Sequence, residues 1–380
     1  MSESVAGGRV RIESVSITNF KRFRSLDLEI KNRALDEIAD QFLILGDNGS
    51  GKTTVLQAIA LSLSAASAIT RGIDDFDWVG WVPGRYQRWG TPTVELVVHF
   101  SAEELDATQE AARRWWEFSQ NRRPQGTVFT EPGRESHVRL RFVGEHFPDN
   151  SRAELFQFQG RRYAAALLAT DQSARDLFER LPGIFWFDQF RNLAAPPVVT
   201  ELSRPDGTNG ESTGRVSYAV GVARLRDYLN KWKLARMTKI TPSIGHDFLL
   251  ELENLYEKVF PGRSFSDPEP MYVGGIPSPS DYYFTISDGS RTYDIEEMSA
   301  GEQSVFPILY EFVRLQIKNS IVLIDEIDLN LHPPLAQRFL RLLPQIGRDC
   351  QFIYTTHSES VSEIVSPEQV ARLEGGALCR

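Results

Sequence analysis

Gly46-Asp47-Asn48-Gly49-Ser50-Gly51-Lys52-Thr53-Thr54 is the stretch whose reading decides the fold. The four apolar residues before it, Phe42-Leu43-Ile44-Leu45, read as a short buried parallel strand. After it, Val55, Leu56, Ile59 and Leu63 recur at helical spacing, which predicts a helix starting near Lys52. Strand, glycine-rich turn and helix is the setting in which G-x-x-x-x-G-K-[ST] cradles phosphate. The glycines let backbone N–H groups around Asn48, Gly49, Ser50 and Gly51 converge on phosphate oxygens, and the helix start near Thr54 adds its partial positive charge. Lys52 supplies an ammonium for the β/γ-phosphates and Thr53 a hydroxyl for Mg²⁺. The stretch predicts a nucleoside triphosphate site.

Composition bounds the rest. The 380 residues suit two or three domains, or one large α/β body with an insertion. With 41% hydrophobic and 24% charged residues the chain can bury a sizeable core. A net charge of −9 and a pI near 5.4 argue against a generally basic nucleic-acid binder, though not against a local basic groove. Cys350 and Cys379 form no metal-ligand pair. No apolar leader opens the sequence and no run approaches a membrane span, so a cytoplasmic protein is expected.

Residues 12–18 and 26–30 alternate as two strands around Asn19-Phe20-Lys21-Arg22-Phe23. A hairpin there would carry Lys21 and Arg22 to the phosphate loop, or leave them as solvated turn charges. Residues 71–90 read as an exposed loop, 93–100 as a strand and 102–120 as a helix. Arg113-Arg114-Trp115-Trp116, Arg122-Arg123, Arg161-Arg162-Tyr163 and Lys231-Trp232-Lys233 interleave cations with aromatics. Such clusters either stack on single-stranded bases or form a packed aromatic face beside solvated cations. Residues 183–187 form an apolar strand running into Asp188-Gln189, a position where α/β sheets build sites. Residues 201–214 read as a loop, 222–260 as helices broken near Pro242, and 282–286 with 291–295 as a hairpin.

The second half of the site follows. Met298-Ser299-Ala300-Gly301-Glu302-Gln303 opens a helical stretch at 305–317, with a hydroxyl, bare amides and a helix dipole suited to an anion. Ile321-Val322-Leu323-Ile324 then reads as a buried strand ending in Asp325-Glu326. There Asp325 suits Mg²⁺ and Glu326 suits polarisation of water. Asp328, Asn330, His332 and Pro333 lead to a helix restarting at Pro334. Residues 351–355 form another buried strand, with Thr356-His357-Ser358 at its end and His357 within reach of a γ-phosphate.

In this order, Asn19-Phe20-Lys21, 46–54, 299–303, 325–333 and 356–358 make the chain resemble the ABC-type ATPase heads of the SMC/RecF/OLD-like superfamily. The resemblance implies an α/β P-loop NTPase of ABC-ATPase type. It would have a mixed sheet, an antiparallel N-terminal subsheet and a largely helical insertion. It implies a homodimer or higher homo-oligomer formed through ATP, which lies between one head's 46–54 loop and the other's 299–303 motif. Glu326 is then the catalytic base, His357 the γ-phosphate switch, Asp328 part of the cross-dimer loop, and Gln189 the candidate sensor of Mg²⁺ and attacking water. Ala300 stands where many members have Gly. The chain carries no coiled-coil arms and no Cys-x-x-Cys hook, which argues against tethering. Too few residues follow His357 for a metal-binding TOPRIM domain, so nuclease activity within the chain is not expected.

The expected organisation is an N-terminal lobe at 1–70, an insertion at 71–281 that includes core strands near 93–100 and 183–187, and a C-terminal lobe at 282–380. The expected function is an ATP-gated head that controls a separate effector, a nuclease or similar, in bacterial antiphage defence or DNA repair. A RecF-like ATPase that itself binds DNA ends or single strands is the alternative. A transporter ATPase subunit fits less well, because the path from phosphate loop to 299–303 is long.

Overall fold

The N-terminal strands cannot bury both faces alone, and their pairing shows where the buried face goes. In the computed structural model, which describes residues 9–68, 82, 85, 87–119, 126, 128–168, 171–189, 218–238, 247–271 and 281–374, β1 (Arg11–Phe20) and β2 (Phe23–Glu29) form an antiparallel hairpin. Phe20 opposes Phe23, leaving Lys21-Arg22 as the turn. Ile12, Val15, Ile17 and Phe20 of β1 are buried, and a register shift between Ile12 and Ser14 keeps them on the inner side.

Next come β3 (Gln41–Gly46), α1 (Lys52–Ala66), β4 (Thr93–His99) and α2 (Ala102–Phe118). Then follow β5 (His137–Val143), α3 (Arg152–Gln157), α4 (Gly160–Leu168), α5 (Arg175–Phe178) and β6 (Ile184–Phe187). Helices α6 (Tyr218–Met237) and α7 (Phe248–Val259) precede the hairpin of β7 (Thr285–Ser287) and β8 (Thr292–Asp294). The chain closes with α8 (Ala300–Leu315), β9 (Ile321–Ile324), α9 (Pro333–Ile346), β10 (Gln351–Thr356), α10 (Glu359–Ser362) and β11 (Val370–Leu373).

Two sheets organise these elements. The antiparallel strands form a sheet of their own, ordered β2-β1-β4-β5, and the second sheet is all parallel, ordered β11-β3-β10-β9-β6. Helix α1 lies between them. Its Val55, Leu56, Ile59 and Leu63 share one core with Ile12, Ile17, Val94 and Leu140 of the first sheet and Ile44, Leu323 and Ile353 of the second. A helix packed on two sides needs apolar or small residues around its whole circumference, which is why Ala58, Ala60 and Ser62 are buried too. The other face of the parallel sheet, through Leu43, Val322, Tyr354 and Phe187, packs on α7, α8 and α9. A third, smaller core joins α2, α4 and α5.

The two sheets are also stitched by one side chain. Gln351, fully buried on β10, accepts from the Ile12 N–H at 2.8 Å and donates to the Ile12 and Ala39 carbonyls at 2.9 and 3.0 Å.

Several expectations meet these elements with adjusted ends. The helix expected at 102–120 ends at Phe118, and the one expected from Pro334 starts at Pro333, whose missing N–H costs nothing in a first turn. Strands β5 and β11 were not anticipated. The alternation Val138, Leu140, Phe142 was the available signal for β5, whereas Val-Ala-Arg-Leu carries almost none for β11. The loop at 201–214, the helix break near Pro242, Arg122-Arg123 and Cys379 lie outside the described residues.

Candidate active site

The loop after β3 is built for an anion. Gly49 and Gly51 take φ of 83° and 99°, values that side-chain-bearing residues rarely adopt. A Cβ on Gly51 would also meet the Phe23 ring at 2.5 Å. Gly51 is the N-cap of α1, so the helix starts with no side-chain cap, and its first turn holds no acidic residue. Its free amides and dipole therefore remain available. The Ser50 hydroxyl is buried with no hydrogen-bond partner among the described residues, an orphan donor in the cradle. Asn48 is exposed beside it, and Thr54 is buried on the helix. Lys52 is 5% exposed and curls back so that Nζ donates to the Gly46 and Asp47 carbonyls at 2.7 and 2.9 Å. Burial holds its ammonium below the ordinary value, against the opposing pull of Glu326 and Asp325. These groups fit a polyphosphate.

Strand order brings the other residues alongside. In the parallel sheet, neighbouring β3, β10, β9 and β6 all end on one edge. Loop 46–54 follows β3, His357 follows β10, Asp325-Glu326 follow β9, and Asp188-Gln189 follow β6. Asp325 is fully buried and ties the row together: Thr53 Oγ1 donates to Oδ2 at 2.8 Å and Thr355 Oγ1 to Oδ1 at 2.6 Å. The Asp325 N–H donates to the Phe187 carbonyl at 2.8 Å, which sets the end of β6 beside it. One carboxylate and one hydroxyl make the sparse oxygen set that suits Mg²⁺, an ion that keeps water and takes phosphate oxygens. Glu326 is half-buried, His357 is exposed, and Gln189 is half-buried two residues past the end of β6.

The 299–303 motif sits elsewhere. Ser299 caps α8: Oγ accepts the Glu302 N–H at 3.3 Å and donates to the Glu302 carboxylate at 2.7 Å. Glu302 is 4% exposed and turns inward, where its other oxygen accepts from Tyr256 at 2.6 Å and Tyr293 at 2.7 Å. Burial pushes the Glu302 carboxyl up, but the Tyr256, Ser299 and Tyr293 donors outweigh that and leave it lowered. Gln303 donates to the Glu296 and Met298 carbonyls at 3.2 and 3.1 Å. Gly301 lies where a Cβ would stand 3.1 Å from the Asn330 carbonyl, and Ser304 donates to the Leu329 carbonyl at 3.0 Å. The motif therefore packs on the segment after Asp328. None of the described hydrogen bonds joins it to loop 46–54.

The β1–β2 turn reaches the phosphate loop, as the hairpin reading required. Lys21 Nζ donates to Gln57 of α1 at 2.6 Å, and the nearest group to a Cβ on Gly49 is the Arg22 guanidinium, at 3.9 Å. Burial and the Arg22 charge hold the Lys21 ammonium below its ordinary value.

Among the described residues of the cation–aromatic clusters, the partners include carboxylates, carbonyls and aromatic rings. Arg113 pairs with Glu131, Arg114 with Asp171 at 2.8 Å, Trp115 packs on Tyr163, and Trp116 on Phe129. Arg161 donates to the Leu181 carbonyl at 3.0 Å, Lys231 pairs with Asp227, and Trp232 stacks on Phe248. Sequence reasoning missed Thr355 and Thr356 as partners of the acidic residues, because two threonines in a buried strand read as β-formers.

A family model described as "AAA domain, putative AbiEii toxin, Type IV TA system" matches residues 121–363, and a model described as "AAA domain" matches residues 14–96. An Escherichia coli protein named "Retron Ec83 probable ATPase" is 21% identical over 428 aligned residues, covering 99% of this chain and 73% of that protein. A Vibrio cholerae protein named "Retron Vc95 probable ATPase" is 19% identical over 397, covering 97% and 74%. Among solved structures, an Smc head domain with an extended coiled coil, bound to the C-terminal domain of ScpA derived from Pyrococcus furiosus, has 15% identity and a TM-score of 0.44 over 94% of this chain and 92% of that one. No helix among the described residues is long and apolar enough to cross a membrane.

Proposed function

The chain belongs to the AAA-domain family whose model spans residues 121–363, and from that premise we propose that it works as an ATP-gated dimeric head controlling a separate effector. In this reading it is an ATPase of the ABC type, of the SMC/RecF/OLD-like kind, and two relatives named as probable ATPases support the activity. The observation that carries the reading is the row of parallel strand ends, at which loop 46–54, His357, Asp325-Glu326 and Gln189 are neighbours.

In this reading the 46–54 amides, Lys52 and the orphan Ser50 hydroxyl hold the triphosphate, with Lys21 alongside. Thr53 and Asp325 hold Mg²⁺, which when bound neutralises charge on the β- and γ-phosphate oxygens. Glu326 accepts a proton from the attacking water, Gln189 orients that water, and His357 donates to the γ-phosphate. The Gly46 and Asp47 carbonyls take two of the three ammonium donors of Lys52 and hold it over the loop, where the third serves phosphate. Exposed Ser299 and Ala300, with Gly301 and Gln303, present the start of α8 to the nucleotide of a second copy, Asp328 lies in the neighbouring loop, and inward-turned Glu302 supports the motif.

We keep 1–70, 71–281 and 282–380 as the working domain division, with the middle segment reading the trigger. Two relatives are named as probable ATPases of retrons; in this reading the effector is on another chain and the setting is antiphage defence or DNA repair. The engagement of Arg113 and Arg114 with carboxylates takes support away from direct DNA binding through them.

The test is the solution mass of Glu326→Gln protein with and without Mg-ATP. Doubling with ATP alone is expected. A mass that stays that of one chain under ATP, with or without duplex or single-stranded DNA, sinks the shared-site mechanism.

A further inference from the structure

Every strand end in the site delivers its residue through a loop, and a loop by itself holds a carboxylate loosely. What holds these loops is a pair of adjacent hydroxyls on β10. Thr355 and Thr356 are both fully buried, where an unbonded hydroxyl would cost free energy. Successive strand residues face opposite sides of the sheet, so the two work on different neighbours.

Thr355 Oγ1 donates to Asp325 Oδ1 at 2.6 Å and accepts the Glu326 N–H at 2.8 Å. One atom thus holds the carboxylate assigned to Mg²⁺ and the backbone of the residue assigned as base. Glu326 needs such holding: its φ is +46°, a left-handed conformation that costs a side-chain-bearing residue about 1–2 kcal/mol. The next residue is held too, since the Ile327 N–H donates to the Thr355 carbonyl at 2.9 Å. Across the sheet, Thr356 Oγ1 donates to Asp328 Oδ1 at 2.6 Å and accepts the Ser358 N–H at 2.9 Å. That pair spans from the acidic loop to the turn that carries His357.

We infer that Thr355 and Thr356 are positioning residues for the hydrolytic step. Thr355 fixes Asp325 and Glu326, and Thr356 locks the Asp328 loop to the His357 turn. This rests on the ATPase reading above. A valine would fill both positions equally well as a β-former, so the hydroxyls are what the inference turns on.

The test compares Thr355→Val with Thr355→Ser in the full chain, by ATP turnover and by amide hydrogen exchange of the 325–330 segment without nucleotide. Thr355→Val should lower kcat about tenfold or more while KM moves about threefold or less, because the lost bond positions groups used in the transition state. In a Glu326→Gln background the same change should cost less than in wild type, since Glu326 is one of the two groups that Thr355 positions. Exchange in 325–330 should rise in Thr355→Val, and serine should restore both readouts. Thr356→Val should raise exchange around Ser358 and leave 325–326 protected.

Wild-type turnover and exchange in Thr355→Val would overturn the inference. So would a serine variant as impaired as valine, which would assign the effect to packing. Wild-type protein without ATP turnover would sink the ATPase reading, and the exchange readout would then decide the threonine inference alone.

Discussion

Each residue of the phosphate loop answers to a separate physical demand, and the two left-handed glycines separate those demands. A Cβ at Gly51 meets both a φ of 99° and the Phe23 ring, whereas at Gly49 it meets a φ of 83° and open space up to Arg22. Gly49→Ala should therefore cost strain of roughly 1–3 kcal/mol, and Gly51→Ala more than that, through steric conflict with the hairpin. Thermal denaturation of the nucleotide-free variants checks the order, and equal losses would show that the Phe23 contact relaxes freely. At Glu326 the expectation is kinetic. Glu326→Gln should lower kcat about 10²–10⁴-fold with nucleotide affinity retained, as measured by single-turnover hydrolysis and equilibrium binding.

At the scale of elements, α1 and α8 begin in opposite ways. The start of α1 has no side-chain cap, and that of α8 is closed by Ser299 and Glu302. Ser299→Ala should cost about 1 kcal/mol of stability as an N-cap loss and also weaken ATP-driven association, if the motif serves a second copy. Stability loss with unchanged association would leave Ser299 a cap alone. Glu302 carries a pH dependence. Its folded value is depressed below 4.5, so its contribution is full above 4.5 and is lost as pH falls through the lower folded value. Glu302→Gln should lose stability at neutral pH and flatten the acid limb of denaturation, read from urea midpoints across pH.

The whole molecule depends on joining an antiparallel sheet to a parallel one around α1. Gln351 makes three of those joining bonds from a fully buried position. Gln351→Leu keeps the volume but strands one N–H and two carbonyls, and should cost roughly 3 kcal/mol. A urea midpoint equal to wild type would mean that water replaces the side chain. Glu104 makes the complementary link. It is 3% exposed, caps α2 through the Ser101 N–H and accepts the Val10 N–H at 2.8 Å. Burial pushes its carboxyl up to about 7, outweighing the backbone bonds. The folded state therefore holds this proton where the unfolded chain has released it, so stability falls as pH rises from 4.5 towards 7. Glu104→Gln should remove a pH-dependent loss of roughly 3 kcal/mol over that window, visible as a flatter stability profile.

What the sequence determined by itself was local chemistry with local spacing. Loop 46–54, Ser299 and Asp325-Glu326 each stood out because glycine conformation, capping and strand-end carboxylates act over a few residues. The run of strand-like segments likewise declared an α/β protein. Tertiary structure alone decided the rest, because it depends on which distant segments pair. Strand order β11-β3-β10-β9-β6 puts Phe187, at the end of β6, beside Asp325, although 138 positions separate that residue pair in sequence. The same pairing turns Thr355 from a β-former into the partner of Asp325, turns Glu302 inward to Tyr256 and Tyr293, and neutralises Arg113 and Arg114 on Glu131 and Asp171. A side chain's partner across a fold is a property of three-dimensional register, and no spacing along the chain encodes it.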